Sequence, residues 1–169
     1  CTGKLTKKIS EFQNTEKEYV GTFYIGATTP SFDLETPINS KCSIKNINLY
    51  KLNLASQKFL GTLQQTPPIF SAIKLKGKKL YDYARKEEHV ELKKREINVY
   101  EFKITKVSLP FVDFKIKCSK GTYIRSIAND FGEELKVGAY LHKLIRTSSG
   151  DFILDDAMTI EDFEKIISK

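Results

Sequence analysis

The sequence is poor in the residues that build metal centres and disulfide frameworks. It has three cysteines, far apart at positions 1, 42 and 118, and two histidines, at positions 89 and 142. An odd number of widely spaced cysteines predicts neither a disulfide framework nor a zinc site. We therefore expect a reduced protein without a metal ion, for which a cytoplasmic location is the default.

Long apolar segments are also lacking. The 169 residues contain no run that approaches the about 20 consecutive apolar residues of a membrane-spanning helix, and no signal-peptide pattern. We therefore expect no membrane partner. The length is enough for one domain with its own core, and we find no internal repeat, low-complexity tract or linker that would divide it.

Positive charge is abundant and uneven. The net charge is +7, and residues 74–95 hold nine Lys or Arg against four acids, a local excess of +5. Tyr81 and Tyr83 lie within this stretch. Cations interleaved with aromatic rings favour an RNA partner, because cations bind phosphates and rings stack on bases. A solvated basic loop has the same composition, so both interpretations stay open.

Hydrophobic periodicity predicts an α+β fold: a mixed, mostly antiparallel sheet with flanking helices. The predicted strands cover residues 18–26, 70–75, 97–107, 111–118 and 139–146. The predicted helices cover a short segment after Gly3 and residues 52–60, 80–86 and 122–135, with a last helix capped by Thr159. Gly61 is the predicted end of the second helix.

The most informative segment is Cys-Ser-Lys-Gly-Thr-Tyr-Ile-Arg at residues 118–125. It joins a predicted strand to a predicted helix, with Thr122 as the expected N-cap. Arg125 then lies in the first helical turn, where the helix dipole is positive. A cation is unfavourable there unless an anion lies opposite. The alternative is a surface arginine in a tolerated position.

This segment, together with others that occur in the same order along the chain, resembles the TruB family of tRNA pseudouridine synthases. The other matching segments are Lys17-Glu18-Tyr19, residues 28–35, residues 67–74 (Pro-Pro-Ile-Phe-Ser-Ala-Ile-Lys), Gly77, Tyr81, Tyr83-Ala84-Arg85, Gly138-Ala139 and Leu144. The resemblance covers nearly the whole chain, with a diverged stretch at residues 39–58.

The resemblance implies that one catalytic element lies outside these residues. Family members carry a nucleophilic aspartate in a G-T/S-L-D-P loop, and no such motif occurs here. The opening residues Cys1-Thr2-Gly3-Lys4 resemble the stretch just after that loop. We therefore expect residues 1–169 to be a partial catalytic domain, inactive alone, with a thumb-like RNA-binding insertion at about 67–96 and no evident carboxy-terminal RNA-binding domain.

The resemblance also implies roles for particular residues. Tyr19 matches the catalytic tyrosine, Arg125 the arginine that pairs with the nucleophilic aspartate, and Leu144 a residue lining the uracil pocket. The expected RNA-binding residues are Asp33, Lys74, Tyr81, Arg85, Lys120 and Arg146. No metal or organic cofactor is expected. Without the resemblance, Tyr19 and Leu144 are ordinary core residues, and Asp33 is equally suited to a local loop hydrogen bond.

The function implied is isomerisation of the T-loop uridine of tRNA, position 55, to pseudouridine, with the tRNA T-arm as partner. The alternative is a non-catalytic RNA-binding module or tRNA folding helper, in which the basic stretch alone acts. A third interpretation is an incompletely folded remnant with an open sheet edge.

Overall fold

A computed structural model of the chain describes residues 3–86, 88 and 90–168; Cys1, Thr2, Glu87, His89 and Lys169, and with them the first two residues of the opening segment, lie outside the described residues. The strands are β1 (Lys17–Ile25), β2 (Ala27–Thr28), β3 (Ser40–Lys41), β4 (Gly61–Gln65), β5 (Lys74–Leu75), β6 (Lys78–Lys79), β7 (Arg95–Ser108), β8 (Phe111–Cys118), β9 (Ala139–Ser149) and β10 (Phe152–Ile153). The helices are α1 (Ile9–Gln13), α2 (Leu49–Gln57), α3 (Leu80–Arg85), α4 (Ile124–Glu134) and α5 (Ile160–Ile167), with 3-10 turns at Gly3–Lys8 and Leu154–Asp156.

The described strands form one six-stranded sheet in the order β10-β9-β1-β8-β7-β4, and two small two-stranded ribbons, β2-β3 and β5-β6. Every pairing among them is antiparallel. The predicted α+β class with a mostly antiparallel sheet is therefore confirmed. β1 lies inside the sheet, paired with β8 on one side and β9 on the other.

The core lies on the face of the sheet that α2 and α4 cover. Strand β8 buries every second residue, so that Val112, Phe114, Ile116 and Cys118 are at most 1% exposed. Phe23 of β1 stacks on the Phe114 ring, with 4.0 Å between the ring centroids. The helices contribute Leu52, Ala55, Ile124, Ile127, Ala128 and Phe131 to the same cluster. Burial of these side chains fixes which face of the sheet α4 covers.

Several predicted elements are confirmed to within three residues: β1, β7, β8, β9, α3 and α4. Thr159 caps α5, and its hydroxyl accepts a hydrogen bond from the Asp162 N–H at 3.1 Å. None of the helices in the part of the chain that the structure describes combines the length and apolarity needed to cross a bilayer.

The predicted helix at 52–60 is displaced. α2 begins at Leu49, because the Asn48 side chain caps it by accepting the Lys51 N–H at 3.0 Å. It ends at Gln57, and Gly61 does not terminate it. Gly61 instead opens β4, with a φ of 88° that favours glycine.

The predicted strand at 70–75 is wrong for all but its last two residues. The chain passes through Pro67 and Pro68, both buried, in an irregular path, and only Lys74–Leu75 forms a strand. The strand that pairs with β7 on the side away from β8 is β4, at residues 61–65. Prolines lack the N–H that a sheet ladder needs, so the chain leaves the sheet where they begin.

Candidate functional site

Helix α4 begins at Ile124, so Arg125 lies in its first turn as predicted. The N-cap residue is Tyr123 and not Thr122, which corrects the sequence prediction. Thr122 instead donates its hydroxyl hydrogen to the Ser119 carbonyl at 2.9 Å, within the turn that follows β8. That internal bond leaves the Thr122 side chain turned towards its own loop.

The start of α4 is held by the side chain of Gln65, at the end of β4. Its Oε1 accepts the Tyr123 N–H at 2.8 Å, and its Nε2 donates to the Tyr123 carbonyl at 3.0 Å. The neighbouring Thr66 carbonyl accepts the Ser126 hydroxyl at 2.8 Å. Gln65 is buried, so these bonds replace water at the helix start. The strand end β4 therefore fixes the position of Arg125.

Replacing Gln65 with leucine should lower the free energy of unfolding by about 1–3 kcal/mol, because both backbone groups of Tyr123 lose their buried partner. Urea unfolding followed by circular dichroism measures the change. Gln64→Leu is the matched control, since Gln64 is the exposed neighbour on the same strand. Equal stability of the two variants would show that the Gln65 bonds do not hold the helix start.

Arg125 joins two loops that are far apart in sequence. Its Nη1 donates to Asp33 Oδ2 at 2.9 Å, and its Nη2 donates to the Phe70 carbonyl at 2.9 Å. Glu35 Oε2 lies 4.0 Å from the same Nη1. The side chains of Arg125 and Asp33 are 22% and 23% exposed, so the ion pair is shielded but reachable from solvent. The Asp33 carboxylate therefore offsets the unfavourable interaction of the Arg125 cation with the positive end of the helix dipole.

Asp33 itself is held by its loop. Its Oδ1 accepts the Glu35 N–H at 2.9 Å, and its carbonyl accepts the Thr29 hydroxyl at 2.7 Å. The carbonyl of the preceding Phe32 accepts the Leu141 N–H at 2.9 Å, which ties the loop to β9. Both carboxylate oxygens thus accept protein donors. The local bond matches the alternative left open for Asp33, whereas its pairing with Arg125 was not predicted.

Tyr19 lies on β1, directly opposite Arg146 on β9, and Gly21 lies opposite Leu144. Residues in register on antiparallel strands share a face, so these four lie on one face of the sheet. Tyr19 also packs against the core that α4 covers. A side chain at Gly21 would collide with the Lys143 carbonyl and the Phe114 ring, so only glycine fits beside Tyr19.

The ionisation of Tyr19 is set by its surroundings. Burial raises the pKa of its phenol, and the neighbouring Cys118 adds to the increase. The Arg146 guanidinium acts in the opposite direction, because a cation favours the phenolate. Tyr19 is therefore protonated at neutral pH.

Helix α4, which carries Arg125, begins a short turn away from the start of β1, the strand of Tyr19. β8 ends at Cys118, which is paired with Lys17 at the beginning of β1. The turn after Cys118 leads directly into α4, whose apolar side packs on the same sheet face. Leu144, which is 40% exposed, continues this surface on β9. The structure thus places Tyr19 and Leu144 on the sheet face that the helix of Arg125 covers, and the joint role of the three residues in catalysis stays a prediction.

The basic stretch forms a separate surface. Tyr81 of α3 carries two cations on its ring: Lys79 Nζ lies 5.2 Å and the Arg85 guanidinium 5.3 Å from the ring centroid. Lys74, in the β5–β6 ribbon, is exposed. The stretch is connected to the site through the Phe70 carbonyl that Arg125 binds. Lys120 and Arg146, by contrast, line a common cavity, and Arg146 lies opposite Tyr19.

A cavity of about 440 Å³ between α4 and β4 is acidic, unlike the basic surfaces described above. Asp130, Glu133 and Glu134 line it, and Lys58 is its basic residue. Burial raises the pKa of Asp130. An acidic cavity repels phosphate, so it does not extend the site. Among the described residues, no group of three or more His, Cys, Asp or Glu side chains is placed to hold a metal ion.

Comparison with protein families gives two adjoining matches. Residues 1–124 match the family described as TruB family pseudouridylate synthase (N terminal domain), and residues 125–169 match the tRNA pseudouridylate synthase B C-terminal domain. The junction falls in the first turn of α4. Since β1 pairs with both β8 and β9, residues of both matches share one sheet and one core.

Similar proteins carry the name tRNA pseudouridine synthase B. The chain is 51% identical to the one from Flavobacterium johnsoniae, with 98% of this chain and 72% of the relative covered. It is 48% identical to the one from Phocaeicola vulgatus (96% and 69% covered) and 46% identical to the one from Chloroherpeton thalassium (99% and 70%).

Solved structures share the fold at lower identity. A chain of a Cbf5-Nop10-Gar1 complex superimposes with a TM-score of 0.65 at 24% identity, over 96% of this chain and 41% of the other. A chain of an H/ACA RNP bound to a substrate RNA containing 2′-deoxyuridine superimposes with a TM-score of 0.63 at 22% identity, over 97% and 40%. The present chain therefore spans about two fifths of these longer chains.

Proposed function

Because the chain belongs to the TruB family of pseudouridylate synthases, we propose that Tyr19, Arg125 and Leu144 form part of the active site of a tRNA pseudouridine synthase acting on the T-loop uridine, position 55. In this proposal residues 1–169 belong to the catalytic domain, and the insertion at about 67–96 is an RNA-gripping thumb. The proposed RNA contacts are Asp33, Lys74, Tyr81, Arg85, Lys120 and Arg146.

The reaction is an isomerisation without net gain or loss of atoms. The bond from C1′ of the ribose to N1 of uracil breaks, and a bond from C1′ to C5 forms. The proton on C5 leaves to solvent and N1 gains one. The target base must leave the folded loop to be reached. A carboxylate nucleophile, a cation that keeps it ionised, a proton-transfer group and a pocket for the ring are required.

Arg125 supplies the cation. The assignment rests on the way its guanidinium is held: Asp33 and the Phe70 carbonyl fix its plane from two directions, each at 2.9 Å. A guanidinium has five N–H donors, so donors remain for the aspartate of the family's G-T/S-L-D-P loop. An opposite charge at contact distance would keep that carboxylate ionised and direct it.

Tyr19 supplies a ring against which the flipped uracil can stack, and a hydroxyl for proton transfer. Its raised pKa keeps the hydroxyl protonated at neutral pH, so accepting a ribose proton requires its own proton to leave at the same time. Arg146 beside it stabilises the developing negative charge on the oxygen. Leu144, opposite the glycine next to Tyr19 in the same face, provides an apolar wall for the ring.

A release assay tests this function. RNA hairpins of T-arm sequence, tritiated at C5 of the target uridine, should bind the 169-residue polypeptide without releasing tritium, because the aspartate loop is not in it. A chain that carries the loop followed by these residues should release the label. Turnover by the 169 residues alone would contradict the assignment of the nucleophile. RNA binding without turnover by the longer chain would favour the non-catalytic RNA-binding alternative.

A further inference from the structure

A cavity of about 530 Å³ lies at the end of the sheet where β1 begins, and one of the residues lining it is Arg146, the residue opposite Tyr19. Lys17, Lys120 and Arg146 bring three cations to it from β1, the turn after β8 and β9. We call it the basic cavity and define it by these residues with Ile9, Phe12 and Phe152. Its volume lies in the range of pockets that hold a ligand the size of a nucleotide.

The three cations are close enough to affect one another. Burial lowers the pKa of Lys17, and the charges of Arg146 and Lys120 lower it further. Lys17 is also held in place, because its Nζ donates to the Gln13 carbonyl at 3.1 Å, the Thr15 carbonyl at 2.9 Å and the Thr15 hydroxyl at 2.8 Å. None of the described residues lining the cavity is an acid. The cations therefore repel one another until an anion enters.

The cavity is also lined by apolar side chains. The rings of Phe12 and Phe152 meet edge to face, with 5.8 Å between their centroids. Both rings remain partly exposed, as does Ile9, which also lines the cavity. A cavity lined by both cations and exposed aromatic rings matches the two parts of a nucleotide, a phosphate and a base or ribose.

We propose that the basic cavity binds the RNA phosphodiester adjacent to the target uridine, with Lys120 and Arg146 as its hydrogen-bond donors and the Phe12–Phe152 pair against the neighbouring nucleoside. Lys17 adds charge from a fixed position. The inference rests on the proposed function, because only a uridine held at Tyr19 puts its flanking phosphate beside Arg146, the residue opposite Tyr19.

The proposed phosphate position can be tested by replacing one charged phosphodiester of the RNA at a time with an uncharged methylphosphonate. T-arm hairpins are made with one methylphosphonate at each successive linkage around the target uridine, and their affinities are measured by fluorescence anisotropy across a salt series. Lys120→Gln and Arg146→Gln are compared with Lys103→Gln. Lys103 is the matched control, since its side chain is 68% exposed and its neighbour Phe102 points into the core, which places Lys103 on the other sheet face.

We expect Lys120→Gln and Arg146→Gln each to weaken binding about 3- to 10-fold and to reduce the slope of log K against log salt by about 0.7 for each lost contact. One flanking methylphosphonate should weaken RNA binding by the unaltered protein by a similar factor, and it should weaken binding by the variant that combines Lys120→Gln and Arg146→Gln only slightly. This non-additivity identifies the bound phosphate.

Two results overturn the inference in distinguishable ways. If Lys120→Gln and Arg146→Gln behave as Lys103→Gln does, or if every linkage contributes equally in all variants, the basic cavity holds no particular phosphate and the proposed function still stands. If the unaltered protein binds T-arm hairpins no better than unrelated hairpins of equal length, the proposed function fails and this inference fails with it.

Discussion

Replacing Arg125 with lysine is expected to lower the rate of uridine isomerisation by about 10²–10³-fold, the usual cost of losing one group that stabilises charge at a reacting centre. Lysine keeps the charge but presents a single ammonium group, whereas the guanidinium is a planar fork. Arg125 binds Asp33 and the Phe70 carbonyl at once. One ammonium cannot hold both and also bind the nucleophilic carboxylate in a fixed direction.

The measurement is single-turnover tritium release at saturating protein, in a chain that carries the aspartate loop. Anisotropy on the same hairpin should show affinity within a few-fold of the unaltered chain, which separates lost chemistry from lost binding. Asp33→Asn should lower the rate as well, and its effect should not add to that of Arg125→Lys, because both break one contact. An unchanged rate in Arg125→Lys would remove Arg125 from the reaction.

Glu35→Gln is the matched control for Asp33→Asn. Glu35 is on the same loop, but its carboxylate is 4.0 Å from the arginine and its side chain is 49% exposed. A solvent-screened acid at that distance interacts weakly with the arginine. The Glu35→Gln variant should therefore react at a rate within about twofold of the unaltered chain. Equal losses in Asp33→Asn and Glu35→Gln would mean that the arginine responds only to the overall charge of the loop.

The parts of the fold that the sequence predicted well are those in which burial repeats locally. β8 alternates because Val112, Phe114 and Ile116 all point into one core. Helix α4 was predicted from the helical spacing of its apolar residues, which pack on that core. β4 was missed for the opposite reason: it lies at the sheet edge, and Gly61, Thr62 and Gln64 are exposed, so it carries little alternation.

The contacts that position the site residues join segments far apart in the chain, so no local sequence pattern predicts them. Arg125 and Asp33 are 92 residues apart, and Gln65 and Tyr123 are 58 apart. Any loop acid could have paired with Arg125 on sequence grounds, and a glutamine at a strand end predicts no particular partner. The prediction that Tyr19, Arg125 and Leu144 are site residues came from the family resemblance and from no local pattern. The fold then showed which of their neighbours hold them.

Replacing Gly132 with alanine is expected to destabilise the protein by about 3 kcal/mol, the upper part of the range for forcing extra atoms into a packed core. Gly132 is buried in α4. A Cβ there would collide with the backbone nitrogen of Ala139 and the carbonyl carbon of Gly138. Helix propensity by itself would make alanine about 1 kcal/mol more stabilising than glycine at this position. Steric collision and helix propensity therefore predict changes of opposite sign in the free energy of unfolding. The collision decides, because backbone atoms cannot rotate away.

Urea unfolding of Gly132→Ala, with Glu133→Ala as control, measures this balance. Glu133 is exposed on the next position of the same helix, so its replacement should leave the midpoint nearly unchanged. The Gly132 carbonyl also accepts hydrogen bonds from the Val137 and Gly138 N–H groups at 3.2 and 3.0 Å. The same collision should therefore displace the turn that precedes β9. β9 carries Leu144 and Arg146, and the folded variant should therefore also bind T-arm RNA more weakly than Glu133→Ala does. A stabilised Gly132→Ala would mean that α4 and β9 do not approach this closely.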